Sequence, residues 1–533
     1  MVSMWGSKTT DSRSGASSPQ NGETSDDHPS NHQEPDERSR LLPSNRPPPP
    51  GTGGYLDPDD PAVSPYNLFS VRATRYLSVL VLIISFLWWV LLLVSIFVSP
   101  PGMHSRGSGF FDFSYTTLTV GNLLVAVIFF SKPSKAMQVS CMVIAVFLLV
   151  DMIIILAVGR LRIEEGWVGI ASVVWATVMA TWTVLTDRIV AWGKREEEER
   201  LTGRPESRRT VLEWLAVLAS TVVLIVLIIV AVLLTATLIL RSRDASLAPP
   251  GERYYVDGDK YQVHLACEGN ITYSDGKRNP TVLVEGGEGP VEDGLVPFAA
   301  NALQNGTIDR YCYWDRPGLG WSDNAPSPHS AGMSADALSE ALARAGEEGP
   351  WILVSAGVGT IYSRIFSSRH YRMVAGLFLI DPLHEDLLHN LGSPGRGFML
   401  WARGIISPLG FDRLAGALFK GRSREDRIYG RSAYQGGKYI KATLQESLVA
   451  DSLSKSEVTS ARTIQSEKTP LVIVSSGIQV RKSSEWERKQ RDLTHLTSNL
   501  VGWDVVNKAP HEVWATLEGR EILEKRLGEL VRG

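Results

Sequence analysis

Hydrophobic residues are distributed unevenly along the 533-residue chain. Five long apolar stretches lie in its first half, at residues 76–98, 110–130, 137–158, 167–190 and 214–240. A helix needs about 20 apolar residues to cross a hydrocarbon core of ~30 Å, and each stretch is long enough. They also lack the polar stripe that would give a soluble helix an aqueous face. The pattern predicts a transmembrane region of about five helices over residues 71–243.

In the second half of the chain, the apolar runs are shorter. Short runs rich in Val, Ile and Leu alternate with helical segments such as Met333–Ala345 and Glu521–Val531. Alternation of this kind favours a mostly parallel sheet that is covered by helices on both faces. We therefore expect an α/β domain over residues 250–533.

The N-terminal part of the chain differs from both halves in its composition. Residues 1–70 are rich in Ser, Pro, Gly and acidic residues and contain almost no aliphatic clusters. Such a segment cannot bury enough apolar surface to offset the entropy of ordering, which predicts a disordered tail. The whole chain has a net charge of −3 and no basic stripe interleaved with aromatic residues, so the sequence gives no indication of nucleic-acid binding.

Basic residues are concentrated in alternate loops. One side holds Arg72, Arg75, Lys132, Lys135, Lys194, Arg195, Arg200, Arg204, Arg208 and Arg209. The opposite loops hold fewer, namely Arg106, Arg160 and Arg162. The positive-inside rule then places the N-terminal tail in the cytosol, and five spans put the α/β domain on the lumenal or extracellular side.

Asp151 lies inside the third apolar stretch. A carboxylate within a membrane is costly and indicates either a functional site or a local structural partner. The structural alternatives are a hydrogen bond to Thr or Asn on the second or fourth helix, or a tilt towards Arg160 and Arg162.

Six motifs follow one another in the second half. They are Tyr261–Gly269, Thr281–Gly289, Tyr311–Ser322, Ala375–Pro382, Pro470–Ser475 and Val501–His511. In this order they resemble the α/β-hydrolase superfamily, and Asp315–Ser322 is similar to the D-R-P-G-x-G-x-S turn of proline-iminopeptidase-like and esterase-like members. The resemblance implies a helical cap between the sixth and seventh strands, here about residues 384–469.

The nucleophile elbow of that superfamily, G-x-S-x-G, has a counterpart at residues 355–359. The nucleophile position there holds Gly357, and the first glycine position holds Ser355. The resemblance also implies an oxyanion hole formed by the backbone N–H groups of Gly287 and Val358.

The remaining triad positions are partly filled. His511 follows the last strand, as the base of the family does. The usual acid position after the strand Leu471–Val474 carries no carboxylate. Asp381, at the end of the strand after the elbow, is the alternative acid position used by some members, although an Asp-Pro sequence there also suits a simple turn.

Two functions remain open. The domain is either a pseudo-hydrolase that binds a lipid, peptide or protein without turnover, or an active serine hydrolase that uses a displaced nucleophile, Ser355. A nucleophile two residues early would lie on the strand, below the oxyanion amides, and nucleophile geometry tolerates little displacement. No motif predicts a metal site or a bound cofactor, and the partner that the sequence does predict is the lipid bilayer.

Two short features of the sequence indicate the cellular compartment. Cys267 and Cys312 fall on strands that are neighbours in the fold that the resemblance implies, so they either form a disulfide or remain buried thiols. Leu41 and Leu42 end a sequence, Glu37-Arg-Ser-Arg-Leu-Leu, that matches the acidic dileucine pattern, and we expect it to act as a sorting signal for a vacuolar or lysosome-like membrane.

Two sequons beyond the fifth span give a direct test of topology. Asn270-Ile-Thr and Asn305-Gly-Thr are acceptors for N-glycans in a lumenal domain. We expect endoglycosidase treatment to increase the gel mobility of the wild type, and Asn270→Gln with Asn305→Gln to abolish that shift. An unchanged mobility, together with a protease-accessible C-terminus in intact vesicles, would show that the orientation is reversed.

Overall fold

The computed structural model describes residues 64–203, 210–274 and 276–532. The dileucine pattern and most of the predicted disordered tail lie outside these residues. The described part contains a helical region followed by an α/β domain.

The helical region contains five helices that are long and apolar enough to cross a membrane. They are α1 (Phe69–Phe97), α2 (Phe110–Ile128), α3 (Lys135–Ala157), α4 (Gly159–Thr202) and α5 (Val211–Asp244). Hydropathy located their apolar centres but not their ends, because helical hydrogen bonding continues past the last lipid-facing residue. Thus α1 begins at Phe69 rather than at residue 76, and α4 runs to Thr202 and is interrupted at Gly166, where φ is +62°.

Two polar side chains inside the bundle, Asp151 and Asn122, have hydrogen-bond partners on neighbouring helices. Asp151 on α3 is fully buried and accepts a hydrogen bond from the Tyr115 hydroxyl on α2, 3.3 Å away. Asn122 on α2 donates to Thr183 on α4 at 3.0 Å. The structure therefore supports a packing role for Asp151, with Tyr115 of the second helix as its hydrogen-bond partner, where the sequence suggested a Thr or Asn on the second or fourth helix or a tilt towards Arg160 and Arg162.

The α/β domain is built on one eight-stranded sheet. Its strands are β1 (Glu252–Val256), β2 (Tyr261–Gly269), β3 (Thr281–Glu285), β4 (Arg310–Trp314), β5 (Trp351–Ala356), β6 (Val374–Ile380), β7 (Leu471–Ser476) and β8 (Leu500–Val506). The order in space is β1-β2-β4-β3-β5-β6-β7-β8, and β2 is antiparallel to both of its neighbours while the other pairs are parallel. This is the α/β-hydrolase fold, as predicted.

Two hydrophobic layers cover the sheet. One face packs against α7 (Ala331–Ala345) and α8 (Gly359–Arg369), and the other packs against α6 (Leu295–Gln304) and α17 (Leu517–Arg532). Successive β5 residues alternate between the layers, so that Leu353 joins the first and Val354 the second. Burial on both faces explains why the central strands read as continuous apolar runs.

Short helices fill the chain between β6 and β7, where a cap was predicted. They are α9 (Leu388–Leu391), α10 (Pro394–Ile406), α11 (Phe411–Phe419), α12 (Arg424–Ile428), α13 (Gly437–Val449) and α14 (Lys455–Ile464). Two more, α15 (Gly477–Lys482) and α16 (Ser484–Leu493), lie between β7 and β8.

The domain is joined to the bundle by buried polar contacts. Arg160 of α4 forms an ion pair with Asp323, with 2.5 Å between Nη2 and Oδ1. Asp244, at the end of α5, accepts from Arg427 of α12 at 2.6 Å. The Asn324 amide donates to the carbonyl of Gly107, 2.9 Å away. These groups would be costly to bury alone, so they fix the domain against the ends of the helices.

Cys267 and Cys312 are opposite each other in the β2–β4 ladder, and the structure joins them in a disulfide. Their Cα atoms are 4.0 Å apart. Of the two alternatives left by the sequence, the structure thus contains the disulfide.

Candidate functional site

The turn after β5 has the conformation of a nucleophile elbow. Gly357 follows the strand with φ of +48°, and α8 begins two residues later at Gly359. A residue with a Cβ is strained by about 1–3 kcal/mol in this region, whereas glycine adopts it freely. The chain therefore has the backbone shape of the elbow, with a glycine at the position of positive φ.

Two side chains converge on the position that a nucleophile would occupy. A Cβ added to Gly357 would lie 2.5 Å from Oε1 of Glu288 and 2.8 Å from Nε2 of His511. No real Cβ approaches other heavy atoms so closely, so these two groups already take the space of a serine side chain.

His511 and Asp381 have the relative placement that the resemblance implied. His511 Nδ1 lies 2.6 Å from Asp381 Oδ2. The other carboxylate oxygen, Oδ1, accepts from the backbone N–H of Ser476 and from the indole N–H of Trp486, both at 3.0 Å. Asp381 has φ of +40°, a strained conformation that these hydrogen bonds hold in place. Ser476 is near the usual acid position, and here its amide supports the carboxylate from the neighbouring strand.

The residue that the sequence reasoning missed is Glu288. It extends from the Gly286–Gly289 loop, and its carboxylate lies 3.2 Å from His511 Nε2 through Oε2. The backbone N–H of Val358, predicted to be an oxyanion donor, donates to Glu288 Oε1 at 3.3 Å. An acidic residue between the glycines of an oxyanion loop was the available signal, because a carboxylate there can reach the amides meant for an oxyanion.

The loop that carries Glu288 is held by Arg316 of the Asp315–Ser322 turn. Its guanidinium donates to the carbonyls of Gly286 and Gly287, at 2.7 and 2.6 Å. It also pairs with the buried carboxylate of Glu285, 2.8 Å away. Gly287, the second predicted oxyanion residue, is thus anchored through its carbonyl oxygen.

The electrostatics of the site follow from this placement. Burial alone would lower the pKa of His511, but its hydrogen bonds to Asp381 and Glu288 outweigh that effect and raise the pKa to about 10. Partial desolvation opposes ionisation of the half-exposed Glu288 carboxylate, yet the contact with His511 holds its pKa below the ordinary value. An imidazolium between two carboxylates has no lone pair with which to accept a proton.

Ser355 is placed elsewhere. It lies within β5, is fully buried, and its hydroxyl makes no hydrogen bond with any residue that the structure describes. A substrate in solvent therefore has no path to this hydroxyl in the observed conformation.

One further group of potential ligand atoms needs comment. His264, Glu292 and Asp315 place their side-chain donors within 4.8 Å of one another. His264 already faces protein oxygens on both sides, Asp315 Oδ2 at 3.0 Å from Nδ1 and the Pro250 carbonyl near Nε2. This leaves no free nitrogen lone pair for a metal, so the set does not suit a metal ion.

Both predicted glycosylation residues are exposed on the domain surface. The amide nitrogen of Asn305 donates to Glu524 at 2.7 Å, while Asn270 lies at the end region of β2. Their accessibility fits acceptor sites, and their modification stays a prediction.

Comparison with known proteins gives relatives for the chain and likenesses for the domain. The family described as "Region of unknown function (DUF2417)" matches residues 37–267, which include the five helices. An uncharacterized protein of Schizosaccharomyces pombe is 33% identical over 93% of this chain and 97% of its own length. An uncharacterized vacuolar membrane protein of Saccharomyces cerevisiae is 29% identical over 61% of this chain and 60% of its own. The Cif epoxide hydrolase from Acinetobacter nosocomialis is a structural likeness with a TM-score of 0.40 and 14% identity, covering 56% of this chain and 96% of that one.

The Glu288–His511 contact predicts a specific dependence of stability on pH. The raised pKa of His511 stabilises the fold fully below its unfolded value of ~6.5, and this contribution is lost as pH rises through about 10. The lowered pKa of Glu288 contributes only above its ordinary value of 4.5. We therefore expect Glu288→Gln to lower the melting temperature most near pH 6 and least near pH 10.

Glu512→Gln is the matched control, since Glu512 adjoins His511 in the chain and forms no ion pair with the residues that the structure describes. A Glu288→Gln effect that matches the control, or that grows towards pH 10, would contradict the ion pair. The size of the effect is kept modest by solvent, because the Glu288 side chain is 51% exposed.

Proposed function

The chain belongs to the family of the S. pombe protein that it matches along almost its whole length, and we propose that its α/β-hydrolase domain is a membrane-anchored binding module without hydrolase activity. The observation that carries this proposal is the Glu288 carboxylate at the nucleophile position. Acyl transfer by this fold needs a nucleophile, a neutral base and free oxyanion donors.

Three features of the observed site support this proposal, one for each requirement. Gly357 offers no attacking atom. His511 is held as an imidazolium by Asp381 and Glu288, so it cannot accept a proton at neutral pH. The Val358 amide is already engaged by Glu288, which leaves it unavailable to a developing oxyanion. One side chain, Glu288, therefore opposes two of the three requirements, the neutral base and the free oxyanion donor.

The alternative, an active hydrolase with Ser355 as a displaced nucleophile, has less support. Ser355 is fully buried in the central strand, and its hydroxyl forms no hydrogen bond with His511 or with any other residue that the structure describes. A general base must come within about 2.6–3.2 Å of the proton that it removes. Turnover through Ser355 would require the core around β5 to rearrange.

For the compartment, we propose a vacuole-like membrane with the hydrolase-fold domain in the lumen. The S. cerevisiae relative is named as a vacuolar membrane protein, and the charge bias of the loops favours a cytosolic N-terminus. The disulfide between Cys267 and Cys312 supports an oxidising compartment on the domain side. The exposed sequons at Asn270 and Asn305 and the Leu41-Leu42 pattern point the same way.

Activity-based labelling tests the proposal. A fluorophosphonate probe should leave the purified wild type unlabelled. Gly357→Ser alone should be less stable by about 1–3 kcal/mol, because it places a Cβ at φ of +48° beside Glu288. The double variant Gly357→Ser, Glu288→Ala should gain labelling, since it supplies the nucleophile, frees the Val358 amide and lets the His511 pKa fall.

The matched control adds His511→Ala to the double variant and should abolish that gain. Strong labelling of the wild type that is lost in Ser355→Ala would instead establish an active enzyme with a displaced nucleophile. Both readouts use the full-length protein in detergent, with intact protein mass as the measure of labelled fraction.

A further inference from the structure

A cavity lined by several charged residues lies at the junction between the membrane helices and the α/β domain. It has a volume of about 120 Å³ and is bounded by the domain-side ends of α2, α4 and α5, by the turn around Gly318–Trp321, and by the cap. One water needs roughly 10–15 Å³ of such space, so the cavity has room for a small polyatomic ion with bound water.

The lining of this junction cavity is unusually basic. It includes Arg160, Arg241, Arg253, Arg413, Arg427 and Lys438. Within the described residues, four carboxylates pair with these cations, namely Glu164, Glu165, Asp244 and Asp323. Six cations facing four carboxylates leave an excess of two positive charges in a largely buried space. Excess buried charge is costly unless an ion of opposite sign joins it.

Two of the six cations account for the excess positive charge. Arg253 and Lys438 form no ion pair with any residue in the described ranges, and they donate instead to the carbonyls of Trp321 and Gly320, at 3.0 and 2.6 Å. Burial lowers the pKa of Lys438 to about 8 and, with repulsion from nearby Arg160, lowers the pKa of Arg253 to about 10. The carboxylates of Glu164 and Asp323 oppose both shifts but do not cancel the effect of burial.

Arg413 connects the junction cavity to a second, apolar space. Its guanidinium lines both, and its Nε is buried with no hydrogen-bond partner among the described residues. The second space is a groove of about 520 Å³ along α10 and α11. Its apolar lining includes Met399, Leu400, Ile406 and Phe411. A basic cavity that shares Arg413 with an adjoining apolar groove suits a ligand with an anionic head and a hydrocarbon tail.

The groove also lies beside the membrane helices. Gly410, between α10 and α11, approaches Thr237 of α5 so closely that a Cβ on it would lie 2.2 Å from the threonine hydroxyl. Gly404 of α10 packs in the same way on Phe110 of α2. On the open side, Met399 and Phe411 are more than half exposed. Apolar side chains exposed next to transmembrane helices fit contact with the acyl region of a bilayer.

We propose that the junction cavity and the adjoining groove bind a phospholipid that carries a phosphomonoester headgroup. A phosphomonoester has a charge of about −1.5 to −2 at neutral pH, which matches the excess of two cations, and its oxygens accept from Arg253, Arg413 and Lys438. The acyl chain lies along α10 and α11. The inference rests on the binding role proposed above and gives it a ligand class.

The test uses full-length protein in neutral detergent, with phosphatidic acid as the probe and phosphatidylcholine as the reference lipid. Phosphatidic acid should raise the melting temperature of the wild type, and phosphatidylcholine should not. Lys438→Gln and Arg253→Gln should each weaken binding about ten- to a hundredfold, the range expected when one charge-assisted hydrogen bond is lost. In the absence of lipid, both substitutions should raise the melting temperature, because they relieve repulsion between buried cations.

Arg344→Gln is the matched control, because it removes an exposed arginine that pairs with Asp259 and Glu340 outside the cavity. Phe411→Ser should weaken phosphatidic acid binding and leave the response to inorganic phosphate unchanged. Equal binding by the wild type, Lys438→Gln and Arg253→Gln would overturn the proposal. Inorganic phosphate that binds as tightly as phosphatidic acid would also overturn it, since the groove would then contribute nothing. Either failure leaves the fluorophosphonate result untouched, so the two proposals are separable.

Discussion

The contact between Glu288 and His511 determines the chemical state of the elbow. It places a carboxylate where a serine hydroxyl would lie, and it keeps the imidazole charged. Gly357 makes this contact possible, because any side chain at that position would meet both groups. The glycine and the glutamate are therefore complementary: the first leaves a space, and the second fills it with a charge that the remaining His–Asp pair stabilises.

Buried ion pairs also join the membrane helices to the domain. Asp244 ends α5 and accepts from arginines on two cap helices, and Arg160 near the start of α4 reaches Asp323. Charged residues at the ends of transmembrane helices are usually solvated at the interface. Here they are covered by the domain, which explains why so many of them have charged protein partners. Arg253 and Lys438 differ from them because they form no ion pair with the described residues.

Much of the fold could be predicted from the sequence because its signals are local. The apolar stretches predicted five membrane helices, and the order of strands and turns identified the α/β-hydrolase fold. His511 and Asp381 could be located because each follows a recognisable strand. The position of the Glu288 carboxylate could not, since an acidic residue in the glycine-rich loop indicates only that a carboxylate is near the oxyanion amides and not where its long side chain points. The junction cavity could not be predicted either, because its basic residues are far apart in the chain. They meet only when the cap packs on the helix ends, as Arg160, Arg241, Arg253 and Arg413 do.

The protonation state of His511 is the most direct measure of this arrangement. Full-length protein labelled with ¹³C at the histidine Cε1 positions would report it by NMR in lipid nanodiscs, with the His511 resonance assigned by its loss in His511→Gln. The ion pair predicts an imidazolium through pH 8, with deprotonation only as pH approaches about 10. A titration midpoint near the ordinary histidine value of ~6.5 would show that Glu288 does not hold the base, and it would contradict the proposed inactive site.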